Sequence, residues 1–206
     1  MKIMKRRHVA TLRAISAALV CLMAIALSLP PLRSLIEQSM VWHMVIQMPL
    51  LVLGGWLSMQ ALGKRRAAQW LAPWNRYGLT GFIAAQAIIA YWMLPLAIDR
   101  AVVVLQDDVL KLLTLWVSGA MLQHSVARSP AVLQLFFVGY TIPMMIWLGF
   151  YFTTTDLRLC NAYSLASQVN AGRGLVVLGF LLGLAWLVRA IREVSVLKRT
   201  ASGALK

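Results

Sequence analysis

Residues 40–62 read MVWHMVIQMPLLVLGGWLSMQAL, a run of 23 without a single Asp, Glu, Lys or Arg. A helix needs about 20 mostly apolar residues to cross the hydrocarbon of a bilayer, so this run predicts a transmembrane helix. Working outward, the same pattern recurs at 12–29, 77–96, 107–123, 131–152 and 174–190. The expected fold class is all-α, a polytopic transmembrane helix bundle of six spans forming one domain over 1–206. Composition agrees. The chain is 61% hydrophobic and 13% charged, where soluble domains carry about 25% charged residues. Mean hydropathy is +0.76. No tract is long and polar enough for a separate soluble domain.

The formal charge of +14 raises nucleic-acid binding, and the placement of the charges argues against it. With the N-terminus inside, 15 of the 20 basic residues fall on the inner side: the tail up to Arg13, Lys64–Arg66 with Arg76, Arg128, and the stretch from Arg189 onward. Glu37, Asp99, Asp107, Asp108 and Asp156 fall at or beyond the outer boundary. Basic residues flanking spans set orientation, so N-in/C-in is expected, in a bacterial cytoplasmic (inner) membrane with the basic excess against anionic headgroups. Lipid bilayer, not nucleic acid, is the expected partner. Lys2–Arg13 followed by Ala14–Leu29 also resembles a signal peptide, and Ala24-Ile25-Ala26 would suit its cleavage. The apolar run continues past Ala26 and a second span follows at once, so a retained first helix is expected.

Polar groups within spans are costly and carry the functional information. On a helix, Met40, His43, Met44 and Gln47 share a sector of about 100°, with Met48 at its edge. Gly54 and Ser58 continue that face with close-packing spacing. Imidazole and thioether together suit copper, soft sulfur favouring Cu(I), which makes His43, Met44, Met40 and Met48 candidate metal ligands. Methionine is equally a common apolar filler, so helix packing is the competing account. A second stripe opens the fourth span: Asp107, Asp108, Lys111, Thr114 and Ser118 lie within roughly 120°. Asp107 and Lys111, spaced i, i+4, could pair, with Lys111 reaching outward. The acids could instead handle protons or metal beside His43, since both groups belong to the outer end.

Other signals are weak. His124 closes the fourth span at the opposite end and His8 lies in the tail, so a bis-histidine haem is disfavoured. Cys21 and Cys160 fall at different depths, which argues against a disulfide. There is no CxxC, phosphate loop or nucleophile–base pair, so no enzyme is expected. The loop 153–173 is polar and could form a lid. Pro49, Pro95 and Pro143 should kink or end helices. Trp42, Trp74, Trp92 and Tyr151 fit an interfacial aromatic belt.

The segment His43-Met44-Val45-Ile46-Gln47-Met48-Pro49-Leu50-Leu51, with Gly54 beyond it, resembles the CtaG-like family of polytopic membrane proteins linked to cytochrome c oxidase assembly. That family's pattern has a histidine, a methionine, and a second histidine four residues after the first, leading to a Pro-Leu-Leu and glycine stretch. His43 and Met44 match, and Gln47 stands where the second histidine would be. The resemblance covers about 20 residues. It implies copper delivery to, or assembly of, a haem–copper oxidase, with oxidase subunits as partners. The alternatives are a small transporter or channel subunit, or a membrane redox protein. Polar groups thin out toward the inner half of every span, which counts against a continuous path.

Overall fold

The computed structural model describes residues 2–29, 32, 38–62 and 73–203, without the side chains of 2–10, 13, 193, 194 and 196–203. The expectations resting on His8, on Arg33 and Glu37, on Lys64–Arg66 and on the basic side chains near both termini lie outside that description. The described residues form seven α-helices and one π-helical turn. In chain order they are α1 (Lys2–Ala26), the π turn (Trp42–Gln47), α2 (Met48–Leu62), α3 (Leu79–Trp92), α4 (Pro95–Val103), α5 (Leu105–Val126), α6 (Ala131–Thr154) and α7 (Leu165–Gly203).

The long helices alternate in direction. Ser28, just past the end of α1, meets Gln47 of the π turn, while Cys21 meets Ser58 further along α2. His43 in the π turn meets Lys111 near the start of α5. His124 near the end of α5 meets Asn75, just before α3. Met40 meets Ser167 at the start of α7. One end of the bundle therefore gathers His43, α4, the start of α5 and the 155–164 connection. The other gathers Asn75, Gly78 and the end of α5.

Glycine sets how closely the helices approach. A Cβ on Gly55 would lie 1.8 Å from the Trp116 carbonyl oxygen, and one on Gly119 would lie 1.9 Å from that of Val52. The α2–α5 crossing thus brings backbone against backbone, which only a residue without a side chain permits. Gly149 and Gly172 do the same between α6 and α7. The small-residue face expected at Gly54 and Ser58 is present, but the closest approach falls on Gly55.

Proline shapes the chain locally. Pro95 starts α4, bent 71° from α3 across the break at 93–94. Residues 97–103, expected as loop, are therefore helical. Pro49 comes two residues after the end of the π turn. Its ring would press on the carbonyl four residues back and it has no N–H to donate, so the turn before it widens. The widened register shows in the Met48 N–H, which bonds the His43 carbonyl five residues back. Pro143 sits inside an uninterrupted α6. The loop expected over 153–173 is shorter than that, because α7 already begins at Leu165.

Among the described residues, three helical stretches are long and apolar enough to cross a membrane: Trp42–Leu62, Ala131–Thr154 and Leu165–Arg192. The bent α3–α4 pair makes a fourth if counted as one. The apolar part of α1, Ala14–Ala26, is shorter. Helix α5 has the length, at 22 residues, but carries Asp107, Asp108 and Lys111 at one end and Gln123, His124 and Ser125 at the other. Large apolar side chains on the outer faces, such as Leu22, Ile83, Phe136, Trp147 and Phe180, are exposed, as bilayer-facing residues would be. Trp42, Trp74 and Tyr151 are also exposed, in keeping with an aromatic belt. Trp92 is the exception: it is buried and donates its indole N–H to Thr114 Oγ1 at 2.8 Å, since a buried indole needs an acceptor.

Candidate functional site

The π turn and α5 bring three ionisable side chains together inside the bundle. Asp108 and Lys111 lie one turn apart on the inward face of α5, and Lys111 Nζ stands 2.7 Å from Asp108 Oδ1. The same Nζ is 3.2 Å from His43 Nε2. Lys111 and His43 are each 1% exposed and Asp108 is 4% exposed. With the ammonium donating to Nε2, the ring proton of His43 is assigned to Nδ1. The Tyr163 ring stands edge-on to the imidazole, centroids 6.2 Å apart.

Two expectations are corrected here. Lys111 does not reach outward, because its stem runs through the core and its charge ends on an internal carboxylate. Its partner is Asp108, three residues back, rather than Asp107. Asp107 turns to the rim and accepts from Arg100 Nε of α4 at 2.9 Å. Angle does not choose between them, since Asp107 lies about 40° and Asp108 about 60° from Lys111 around the helix; Asp108 is buried with Lys111, while Asp107 stays at the rim with Arg100.

The connection 155–164 closes this end. The Asp99 carboxylate of α4 accepts the backbone N–H groups of Asn161 and Ala162 at 2.8 and 3.0 Å. Gln168 clasps the same segment from α7, accepting from Leu159 N–H at 2.9 Å and donating to the Leu157 carbonyl at 3.2 Å. Cys160 is buried beneath it and, like Cys21, is a free thiol. Burial, and secondarily the Asp99 charge, pushes the Cys160 thiol up to about 12, so it stays S–H near neutrality.

Met40, Met44 and Met48 are buried in the same core as Cys160 and Tyr163. Helical arithmetic had placed the methionines on one face with His43 and Gln47, and all five are inward. As arranged, these donors do not offer copper a site at His43 Nε2, because that nitrogen faces the Lys111 ammonium. Among the described residues no group of three or more His, Cys, Asp and Glu side chains is placed to hold a metal ion.

A second polar network, which the pattern along the chain did not reveal, lies at the opposite end. Asn75 donates from Nδ2 to His124 Nδ1 at 3.0 Å and to Ser125 Oγ at 2.9 Å, and its Oδ1 accepts the Gly81 N–H at 3.0 Å. Gly78, with φ of 82°, turns the chain into α3 directly against the Ser125 carbonyl. Asn75 sits in what reads as an ordinary loop. The available hint was His124 and Ser125 at the end of an apolar run, two polar groups that need partners.

Fold and site together define an all-helical, multi-pass membrane protein with a buried charged centre at one end. Comparisons with protein-family models, curated proteins and solved structures find no match to this chain. The resemblance of residues 43–54 to the oxidase-assembly family rests on those residues alone.

Proposed function

We propose that this chain is a non-catalytic accessory protein of a bacterial cytoplasmic membrane, crossing it six times with both termini inside. It holds a partner protein against its outer end. The resemblance at His43–Leu51 makes a haem–copper oxidase subunit the partner to test. The observation that carries this reading is the Asp108–Lys111–His43 chain, sealed beneath the 155–164 connection. Ionisable groups buried among transmembrane helices are costly and are kept for a purpose. Here they tie the π turn to α5 just beneath the connection, so the outer surface has a fixed shape for a partner to recognise. The connection that Asp99 and Gln168 clasp over this centre is the surface we assign to the partner.

A copper-handling form of the same reading draws on the sulfur-rich surroundings of His43, where Met40, Met44, Met48 and Cys160 share one buried core. It requires Lys111 to withdraw from Nε2 before a metal can bind there.

The test is a tagged preparation from native membranes, comparing wild type with Lys111→Met and with His43→Ala/Met44→Leu. Oxidase subunits should co-purify with wild type and be depleted from Lys111→Met, with copper well below one per chain throughout. Near-stoichiometric copper lost on His43→Ala/Met44→Leu would replace the holding role by metal handling. Absence of oxidase subunits from the wild-type preparation would sink the proposed partner.

A further inference from the structure

Helix α3 has 14 residues and so reaches about 21 Å, against about 30 Å of bilayer hydrocarbon. A helix of that length starting at one boundary ends about 9 Å short of the other. There the chain bends by 71° into α4. The nine residues of α4 then run mostly across the axis of α3, gaining only about 4 Å along it. The chain is thus close to membrane depth when α4 begins, and α4 stays near that depth.

The side chains of α4 divide by face. Ala97, Ile98 and Ala101 are buried against the bundle. Leu96 and Val103, seven residues apart and so on one side of the helix, are 74% and 82% exposed. The charges at the two edges of this stripe are engaged by the protein itself. Asp99 accepts the N–H groups of Asn161 and Ala162, and Arg100 donates from Nε to Asp107. The exposed apolar surface also continues beyond α4, back to Leu94 and forward to Leu105 and Val109 on the outward strip of α5. The neighbouring connection differs: Asp156, Arg158 and Asn161 are exposed there, with Leu157 among them. A short helix with an apolar outer face, continuous with lipid-facing strips on both sides, suits the membrane interface.

We propose that α4 lies in the plane of the membrane, at the headgroup boundary of the leaflet at the His43 end. Leu96 and Val103 insert among the acyl chains, and the 155–164 connection stays in water. The proposal rests on the multi-pass membrane assignment and on no partner protein.

The wild-type chain in phosphatidylcholine nanodiscs would be photolabelled by a phosphatidylcholine carrying a diazirine near the top of one acyl chain. In parallel it would be footprinted with hydroxyl radicals, and both kinds of mark mapped by mass spectrometry. Lipid adducts should fall on residues 94–105 as well as on 109–113 of α5. Oxidation should fall on Leu157 and Arg158 and spare Leu96 and Val103. In Leu96→Asp/Val103→Asp the adducts at 94–105 should be lost and those at 109–113 kept. Oxidation of Leu96 and Val103 in wild type, without lipid adducts, would place α4 in water and overturn the proposal. Neither mark at 94–105, with adducts kept at 109–113, would mean that a second copy or another protein covers the stripe, and would equally overturn it. Undiminished adducts at 94–105 in the double variant would overturn the insertion of these two side chains. Lipid adducts nowhere on the chain would overturn the membrane assignment itself.

Discussion

At one end of α5, His43 meets a lysine that an aspartate pairs; at the other, His124 meets an amide that also bonds a hydroxyl. Both histidines are almost fully buried, at 1% and 3% exposure. The first network is held by opposite charges that need each other, since removing either leaves a lone ion in the core. The second is neutral, and its hub is Asn75, whose amide bonds three groups at once. A neutral network loses one or two hydrogen bonds when a member is deleted. Two histidines of similar burial therefore have unequal sensitivity to mutation, and the difference lies in the partners.

The largest effect should come from Asp108→Ala, which strands the Lys111 ammonium. A loss of about 3–5 kcal/mol is expected for breaking a buried pair from one side, read as a drop in thermal unfolding midpoint in detergent. Replacing both members, Asp108→Leu with Lys111→Met, should recover most of that loss, because apolar substitutes for a buried ion pair are often neutral. If the double variant stays as unstable as the single, the pair itself and not the stranded charge is what matters. Asn75→Ala, at the other end, should cost about 1–3 kcal/mol, less than Asp108→Ala; an equal or larger loss would erase the distinction between the ends. Gly119→Ala sits between them on α5, where a new Cβ would collide with the Val52 carbonyl. Forcing the α2–α5 crossing apart should cost about 1–3 kcal/mol and disturb both networks, measurable as faster backbone hydrogen exchange at each end.

The smallest effect concerns Cys160 beneath the His43 end. Its thiol is pushed up to about 12 from an ordinary 9.0. The folded protein thus holds a proton that the unfolded chain gives up above pH 9. The stability from this group is complete below pH 9 and declines between 9 and 12. Maleimide labelling of the folded protein should stay slow from pH 7 to 9 while denatured protein reacts readily. Fast labelling at pH 7 in the folded state would contradict a sealed connection.

Helical arithmetic was enough to find the residues of the charged centre and not enough to pair them. Met40, His43, Met44 and Gln47 were expected on one face, and that face is the buried one. A period of 3.6 identifies which residues of a single helix point inward, and Asp108 and Lys111 were legible in the same way. Which helices then meet is a tertiary matter. The π turn shifts the angular relation between His43 and the rest of its helix, and the 71° bend after α3 brings Arg100 to Asp107 and Asp99 to the 155–164 connection. Neither follows from apolar periodicity. Asn75 was missed because its role depends on a chain reversal at Gly78 that places a loop residue against the far end of α5. Trp92 was misread because an aromatic near a span end looks interfacial whether or not a threonine waits behind it.

The inward lysine of α5 also bears on how the protein is made. Helices α6 and α7 are apolar enough to enter a bilayer unaided; α5 carries a lysine and two acids that hydrocarbon resists by up to a few kcal/mol each. The His43 imidazole that receives Lys111 belongs to a helix synthesised earlier, so the partner is already in place when α5 emerges. On the six-span reading proposed above, an earlier helix supplies the partner for a later one, and disrupting the π turn should slow membrane entry of α5, measurable as a longer half-time to protease protection during synthesis into membrane vesicles.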